Sequence, residues 1–323
     1  MCTSRTSSVL GCRGRALLAE TLAIGFDRGS RGVGCRNHVL ILPSVVCATR
    51  VARDIADALG DPTITHQHGC SQVGDDELRT LHALTGTACN PNVAAALVVG
   101  LGCETIQGRA LAEAIAADGQ VVEYVGIQEQ GGSDETVRVG REVAGHLHKR
   151  AGTVARAELV PTDLVVGVEI SRQSPAARSF VRRLQQVGAT ILTADRLEDS
   201  TLLADVPARI AAFEDLRVQK TARLLGAGSG PQQHVAFAAA GAHVIVSFPQ
   251  PNEAPVGFSV CPVISVAGQS DLHRALLSDF DLSEDDGVDS LWATTLDVLR
   301  GRHSAAETRQ SRMFALERTA MSM

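Results

Sequence analysis

The chain has 323 residues, 45% of them hydrophobic and 20% charged, a balance that excludes disorder and allows one large core or two medium ones. A formal net charge of −6 and only 3% aromatic residues exclude a nucleic-acid surface, which needs a basic face and stacking rings. No apolar run reaches the roughly 18 to 20 residues needed to cross a bilayer, so no membrane span is expected.

In chain order, residues 1–24 read as a flexible tail: Glu20 interrupts the short apolar piece, which therefore lacks the form of a secretory leader. The eight cysteines are too sparse for a disulfide scaffold, and the expectation is reduced thiols in a cytoplasmic protein. From His38, HVLILP precedes the helix-periodic ATRVARDIADAL. The alternation repeats as AALVVG before GRALAEAIAAD, VVEYVGI before ETVRVGREVAGHLHKR, and DLVVGVEI before AARSFVRRLQQV. Continuously apolar strands suit a mainly parallel sheet with helices on both faces, an α/β, Rossmann-like fold. ATILTAD, the helix-like TLLADVPARIAAFEDL, AHVIVSF and PVISVAG follow, and the GAGSGP turn at Gly226–Pro231 marks a second, smaller α/β subdomain. The expected division is 25–225 for a catalytic-type domain, 226–300 for the subdomain and 301–323 for a polar tail.

Parallel strands deliver their C-terminal ends to one edge, where ligands of open α/β sheets bind. Four expected strand ends carry unusual residues: Cys47 after the first, His66 and Cys70 after the second, Cys103 and Glu104 after the third, and Gln128, Glu129, Gly131 and Gly132 after the fourth. Singly, each has a plain reading. Cysteine is among the most buried residue types, His66 can cap a loop, Glu104 can sit at a helix N-terminus, and paired glycines permit tight turns. Together they form a rim of thiols, imidazoles and carboxylates. Gly100 to Gly102 is not a dinucleotide fingerprint, because its third glycine would fall at Thr105 and Glu104 would repel a pyrophosphate.

GFDRGSRGVGCRNHVLILPSVVC, THQHGC, CNPNVAAALVVGLGCE and IQEQGG resemble, in order and spacing, the catalytic region of the altronate/galactarate dehydratase family, which includes the large subunit of sulfolactate sulfo-lyase. The likeness is close from about Gly25 to Gly140. It implies a lyase that removes water, or sulfite, from a small hydroxylated carboxylic acid such as a sugar acid, with a divalent metal. Abstraction of a proton beside a carboxylate needs a base, stabilisation of the enediolate and an acid for the departing hydroxyl. By resemblance, His66, Glu104 and Glu129 are the acid/base candidates and Gln128, Gly131 and Gly132 hold substrate. Cys47, Cys70 and Cys103 would form a soft metal site, with iron first and an iron-sulfur cluster, manganese or zinc as alternatives.

The second half departs from the family. Where its L-x-C-G-G-S-D segment should stand, this chain has Ile170, Ser171 and Arg172 in place of the cysteine and two glycines, and the D-N-N-P-S-P-G-N-K segment is missing. Arg172 is expected either to contact the substrate acid or to block its pocket. The family's small β-rich N-terminal domain is also absent, so a separate small β-rich subunit is an expected partner, beside a homo-oligomer. The competing reading is a catalytically weakened relative that binds a small acid or metal as a subunit or sensor.

Overall fold

The computed structural model describes residues 21–194, 209–212, 221–225 and 230–316. Its strands are β1 (Ala23–Asp27), β2 (Val33–Gly34), β3 (His38–Pro43), β4 (Val93–Gly100), β5 (Val122–Gly126), β6 (Arg156–Leu159), β7 (Val165–Ile170), β8 (Thr190–Ala194), β9 (Arg209–Ala212), β10 (Thr221–Leu225), β11 (Val244–Phe248), β12 (Val263–Ala267) and β13 (Leu282–Ser283). Its helices are α1 (Thr49–Leu59), α2 (Asp75–Ala88), α3 (Gly108–Ala117), α4 (Ser133–Gly152), α5 (Pro175–Val187), α6 (Pro231–Ala239), α7 (Asp271–Ala275), α8 (Gly287–Leu299) and α9 (Ala305–Thr308). None of them is long and apolar enough to cross a membrane.

The fold is α/β, built on two parallel sheets where the sequence suggests one sheet and a smaller subdomain. A three-stranded sheet runs β3-β4-β5, and a seven-stranded sheet runs β13-β12-β11-β7-β8-β10-β9. A short antiparallel ribbon, β2-β1-β6, stands beside them. In β4 every side chain is buried, as expected for a strand covered on both faces. Val51, Ile55, Ala144 and Leu147 of α1 and α4 close one face, sharing a core with Ile41, Leu97 and Val99. Leu84 of α2 and Leu111 and Ile115 of α3 close the other, in a core that continues through Phe237 of α6 into Ile245 of the larger sheet. Burial of this continuous apolar surface joins the two sheets, at about 25 cal/mol per Å² removed from water.

Three expectations are corrected. THQHGC follows no strand: the chain there makes a single bridge, Thr63 to Ile41, because Pro62 cannot donate to a ladder. The helix expected over TLLADVPARIAAFEDL lies partly outside the described residues, and Arg209–Ala212 within it is a strand paired with β10. Residues 301–316, expected as part of a polar tail, are anchored to the body of the protein at Ser304 and Ala306, which are buried. Ser304 caps α9, Ala306 is buried in the shared core, and Phe314 stacks near His66 and Phe258. The Gly226–Pro231 turn lies mostly outside the described residues, and β7 and β11 on either side of it pair directly.

The joint between the sheets is polar. Asn92 accepts from the Cys35 amide at 2.9 Å and donates to the His243 carbonyl at 3.0 Å, while Asn90 donates to the carbonyls of Ala238 and Ala242. Arg36 makes a two-pronged pair with Glu307 at 2.8 Å and donates to the carbonyls of Val298 and Arg302. The GCRN and CNPN motifs are therefore fasteners between the halves.

Candidate functional site

Three loops interlock at the C-terminal edge of the β3-β4-β5 sheet. The loop after β3 carries Cys47, the segment 61–74 carries His66 and Cys70, and the loop after β4 carries Cys103 and Glu104. Gly69 is the pin. Its carbonyl accepts from the amides of Thr105 and Ile106 at 3.0 and 3.1 Å, and the neighbouring His68 carbonyl accepts from Val46 at 3.0 Å. Gly69 has φ +94°, and a Cβ there would stand 2.2 Å from the Ser44 carbonyl oxygen, so only glycine lets the loops meet.

Glu104 holds the meeting point. It is buried, and its carboxylate accepts from the Ser44 hydroxyl at 3.1 Å and the amides of Leu101 at 3.2 Å, Gly102 at 2.5 Å and Gly108 at 3.1 Å. Burial pushes its pKa up, but the backbone and Ser44 hydrogen bonds outweigh burial and leave it below the ordinary value. Glu104 is thus a fixed anion at the entry to α3. His66 is also committed: Nε2 contacts the Pro43 carbonyl at 2.8 Å and Nδ1 lies 3.1 Å from the His68 amide. The amide can only donate, so Nδ1 accepts and the proton sits on Nε2. Burial lowers the His66 pKa, which keeps the ring neutral, and it stacks on His68 with Phe314 alongside.

Gln128 and Glu129 stand exposed after β5, aligned with the loop after β4 by the Gln128 amide bond to Leu101 at 3.1 Å. Gly131 and Gly132 have φ +83° and +133°, and Gly132 is the N-cap of α4. Beside them an open depression of about 410 Å³ is lined by Arg109, Tyr124, Gln128 and Glu129, among others. One Arg109 nitrogen contacts both Glu129 oxygens, at 3.0 and 2.9 Å, the guanidinium lies 4.7 Å over the Tyr124 ring, and the Tyr124 hydroxyl is 3.4 Å from Glu129. Burial, then the charges of Glu129 and Glu104, raise the Tyr124 pKa, so the phenol keeps its proton. Sequence reasoning missed Arg109 and Tyr124. The available signals were an arginine in the first turn after a rim loop and the chain's single tyrosine at a strand end.

Cys47, Cys70 and Cys103 are free and exposed. Although their loops touch, no group of three or more His, Cys, Asp or Glu among the described residues is placed to hold a metal ion. The described donors of this chain alone do not make the expected metal cage. Arg172 is neither at this rim nor open: its side chain is 9% exposed and pairs with Glu284 at 2.6 Å, beside the larger sheet.

Residues 25–152 match the second domain of D-galactarate dehydratase/altronate hydrolase. The chain is 35% identical over 136 residues to altronate dehydratase of Escherichia coli K12, covering 38% of this chain and 26% of that protein. It is 28% identical over 189 residues to altronate dehydratase of Bacillus subtilis, covering 52% and 38%. It is 35% identical over 123 residues to (2R)-sulfolactate sulfo-lyase subunit beta of Chromohalobacter salexigens, covering 37% and 30%. The chain thus spans well under half the length of these curated relatives. Over residues 25–152 it is therefore similar in sequence to the altronate/galactarate dehydratase family.

Proposed function

We propose that the chain is the catalytic part of a lyase that eliminates water, or sulfite, from a small hydroxylated carboxylic acid at the rim beside Arg109 and Glu129. The observation that carries this reading is the open Arg109–Tyr124–Glu129 cluster within the family-matching segment. Arg109 is exposed and pairs with Glu129 while lying over the Tyr124 ring, so a substrate carboxylate can exchange for the Glu129 carboxylate on the guanidinium. Glu129, released, takes the proton from the carbon beside the substrate carboxylate. The C–H electron pair becomes the new C=C bond as the neighbouring C–O bond breaks, and the departing hydroxyl takes the Tyr124 proton and leaves as water. For a sulfonate, the C–S bond breaks and sulfite leaves without that proton. Glu104 and His66 hold the rim in shape.

Metal assistance, with iron foremost, belongs to this proposal by family likeness and by the three exposed thiols. Because the described donors form no cage, no step above passes through a cation. A partner chain is the natural source of further donors: one relative is by its name a subunit, which supports a separate small subunit or a homo-oligomer. Six free cysteines among the described residues favour the cytoplasm.

The test is to incubate the purified chain with altronate, galactarate and sulfolactate and follow release of a keto acid or sulfite. Arg109→Gln and Glu129→Gln are expected to lower kcat/KM by about 100-fold, the scale of a lost positioning or acid/base group, with unchanged thermal unfolding. The second reading, a weakened relative that binds acid as a subunit or sensor, is favoured by the closed Arg109–Glu129 pair. No turnover combined with acid binding lost in Arg109→Gln would select it.

A further inference from the structure

The larger sheet has its own switch point, outside the family-matching segment 25–152. From β7 the chain runs to β8 on one side, whereas β11 pairs on the other side of β7 and leads on to β12 and β13. The C-terminal ends of β7 and β11 therefore open the crevice in which doubly wound sheets hold ligands. Polar groups concentrate there. Glu169 is buried and accepts from the Ser171 hydroxyl and, at 2.5 Å, from the Ser247 hydroxyl.

His234 lies on the same side of the sheet. It is one turn before Phe237 on α6, and Phe237 packs on Gly167, whose added Cβ would stand 2.7 Å from the ring. Glu169 follows Gly167 by two positions on the same strand face, toward the strand end. Among the described residues His234 leaves both ring nitrogens buried with no partner, and Arg172 Nε, just beyond the end of β7, is likewise unpartnered. Buried polar atoms are normally satisfied, and several orphans at a switch point are what a bound polar molecule would satisfy. Burial alone lowers the His234 pKa to about 4, so the ring is neutral, with one donor and one acceptor to offer. Arg172 is already neutralised by Glu284, which also accepts from Ser174 at 2.5 Å. Burial raises the Glu169 pKa, and the crevice therefore offers hydroxyl-matching groups, with the Arg172 charge already paired.

We infer that this crevice is a second ligand site, for a small polyhydroxylated molecule recognised through its hydroxyls by Glu169, Ser247 and His234. The site is independent of the elimination reading, since it uses none of the rim residues.

Three probes separate hydroxyl from charge recognition in calorimetric titrations of the whole chain: galactarate, galactitol, which has the same hydroxyls and no carboxylate, and adipate, which has two carboxylates and no hydroxyl. Galactitol cannot undergo the elimination, so its binding is read apart from any activity. Galactitol is expected to bind, adipate not to bind at this crevice, and Glu169→Gln and Ser247→Ala each to weaken galactitol by about tenfold, which corresponds to about 1.4 kcal/mol. Arg109→Gln is expected to leave galactitol binding unchanged. If Glu169→Gln does not fold, as read by its thermal unfolding, Ser247→Ala carries the test. Absence of galactitol binding, or galactitol binding that survives both crevice variants or is lost in Arg109→Gln, would overturn the inference.

Discussion

Glu104 shows how a residue chosen for chemistry can be required first by structure. A carboxylate that accepts from three amides and a hydroxyl stabilises its loop only while ionised. Its folded pKa lies below the ordinary value of 4.5, so the unfolded chain takes up the proton first. Its contribution is complete above that value and is lost as pH falls through the folded pKa. Urea unfolding of the parent chain and Glu104→Gln should therefore differ by about 2 kcal/mol at pH 7, the scale of a hydrogen-bonded charge, and converge as the solution is acidified through the lowered folded pKa. A difference that stays constant with pH would show that the carboxylate charge contributes nothing. The thiols give a second residue-scale expectation. Alkylation followed by peptide mapping should label Cys47, Cys70 and Cys103 rapidly in the native protein. Cys35 and Cys261 are buried, with their thiol pKa values pushed up, in each case chiefly by burial, and should react only on unfolding.

At the scale of elements, the three rim loops are one unit because Gly69 lets them touch. Gly69→Ala would combine a left-handed φ with a clash against the backbone of Ser44 and Val45. The expected loss is about 2 to 4 kcal/mol in urea unfolding. Gly60→Ala is the control: it ends α1 at φ +73° with open space around it, and only the roughly 1 kcal/mol cost of the left-handed conformation applies. Equal losses in the two variants would mean that the loop contact at Gly69 is unimportant. The same interlock explains why HQHGC, read as a strand end, is a plug: the His66 ring spends its nitrogens on the Pro43 carbonyl and the His68 amide, and the His68 ring meets Gln72.

Across the whole molecule, the sheets share the apolar core through α2 and α6 and a polar seam through Arg36, Asn90 and Asn92. Arg36 is buried, and its pair with Glu307 lies between the first sheet and the C-terminal segment. Removing one partner of a buried pair leaves the other charge uncompensated. Arg36→Ala is accordingly expected to destabilise by about 3 to 5 kcal/mol and to uncouple residues 301–316, seen as faster hydrogen exchange in α9 than in α4. Uniform protection in both helices would argue against a fastening role.

The alternation of apolar runs with amphipathic periods was enough, in the sequence alone, to establish parallel strands and the edge where the rim would form, because backbone hydrogen bonding and burial depend on local pattern. The linked motifs GCRN, HQHGC, CNPN and VVGLGCE likewise marked out the family segment. The tertiary structure decided what each residue does there. Asn92 and Arg36 turned out to fasten two halves separated by more than a hundred residues, Glu104 to accept four hydrogen bonds from its own loops, and Arg109, Tyr124 and Glu129 to converge from α3, β5 and the loop beyond it. Such roles depend on distances between segments remote in sequence, and those distances exist only once burial of the shared core has fixed how helices and sheets pack.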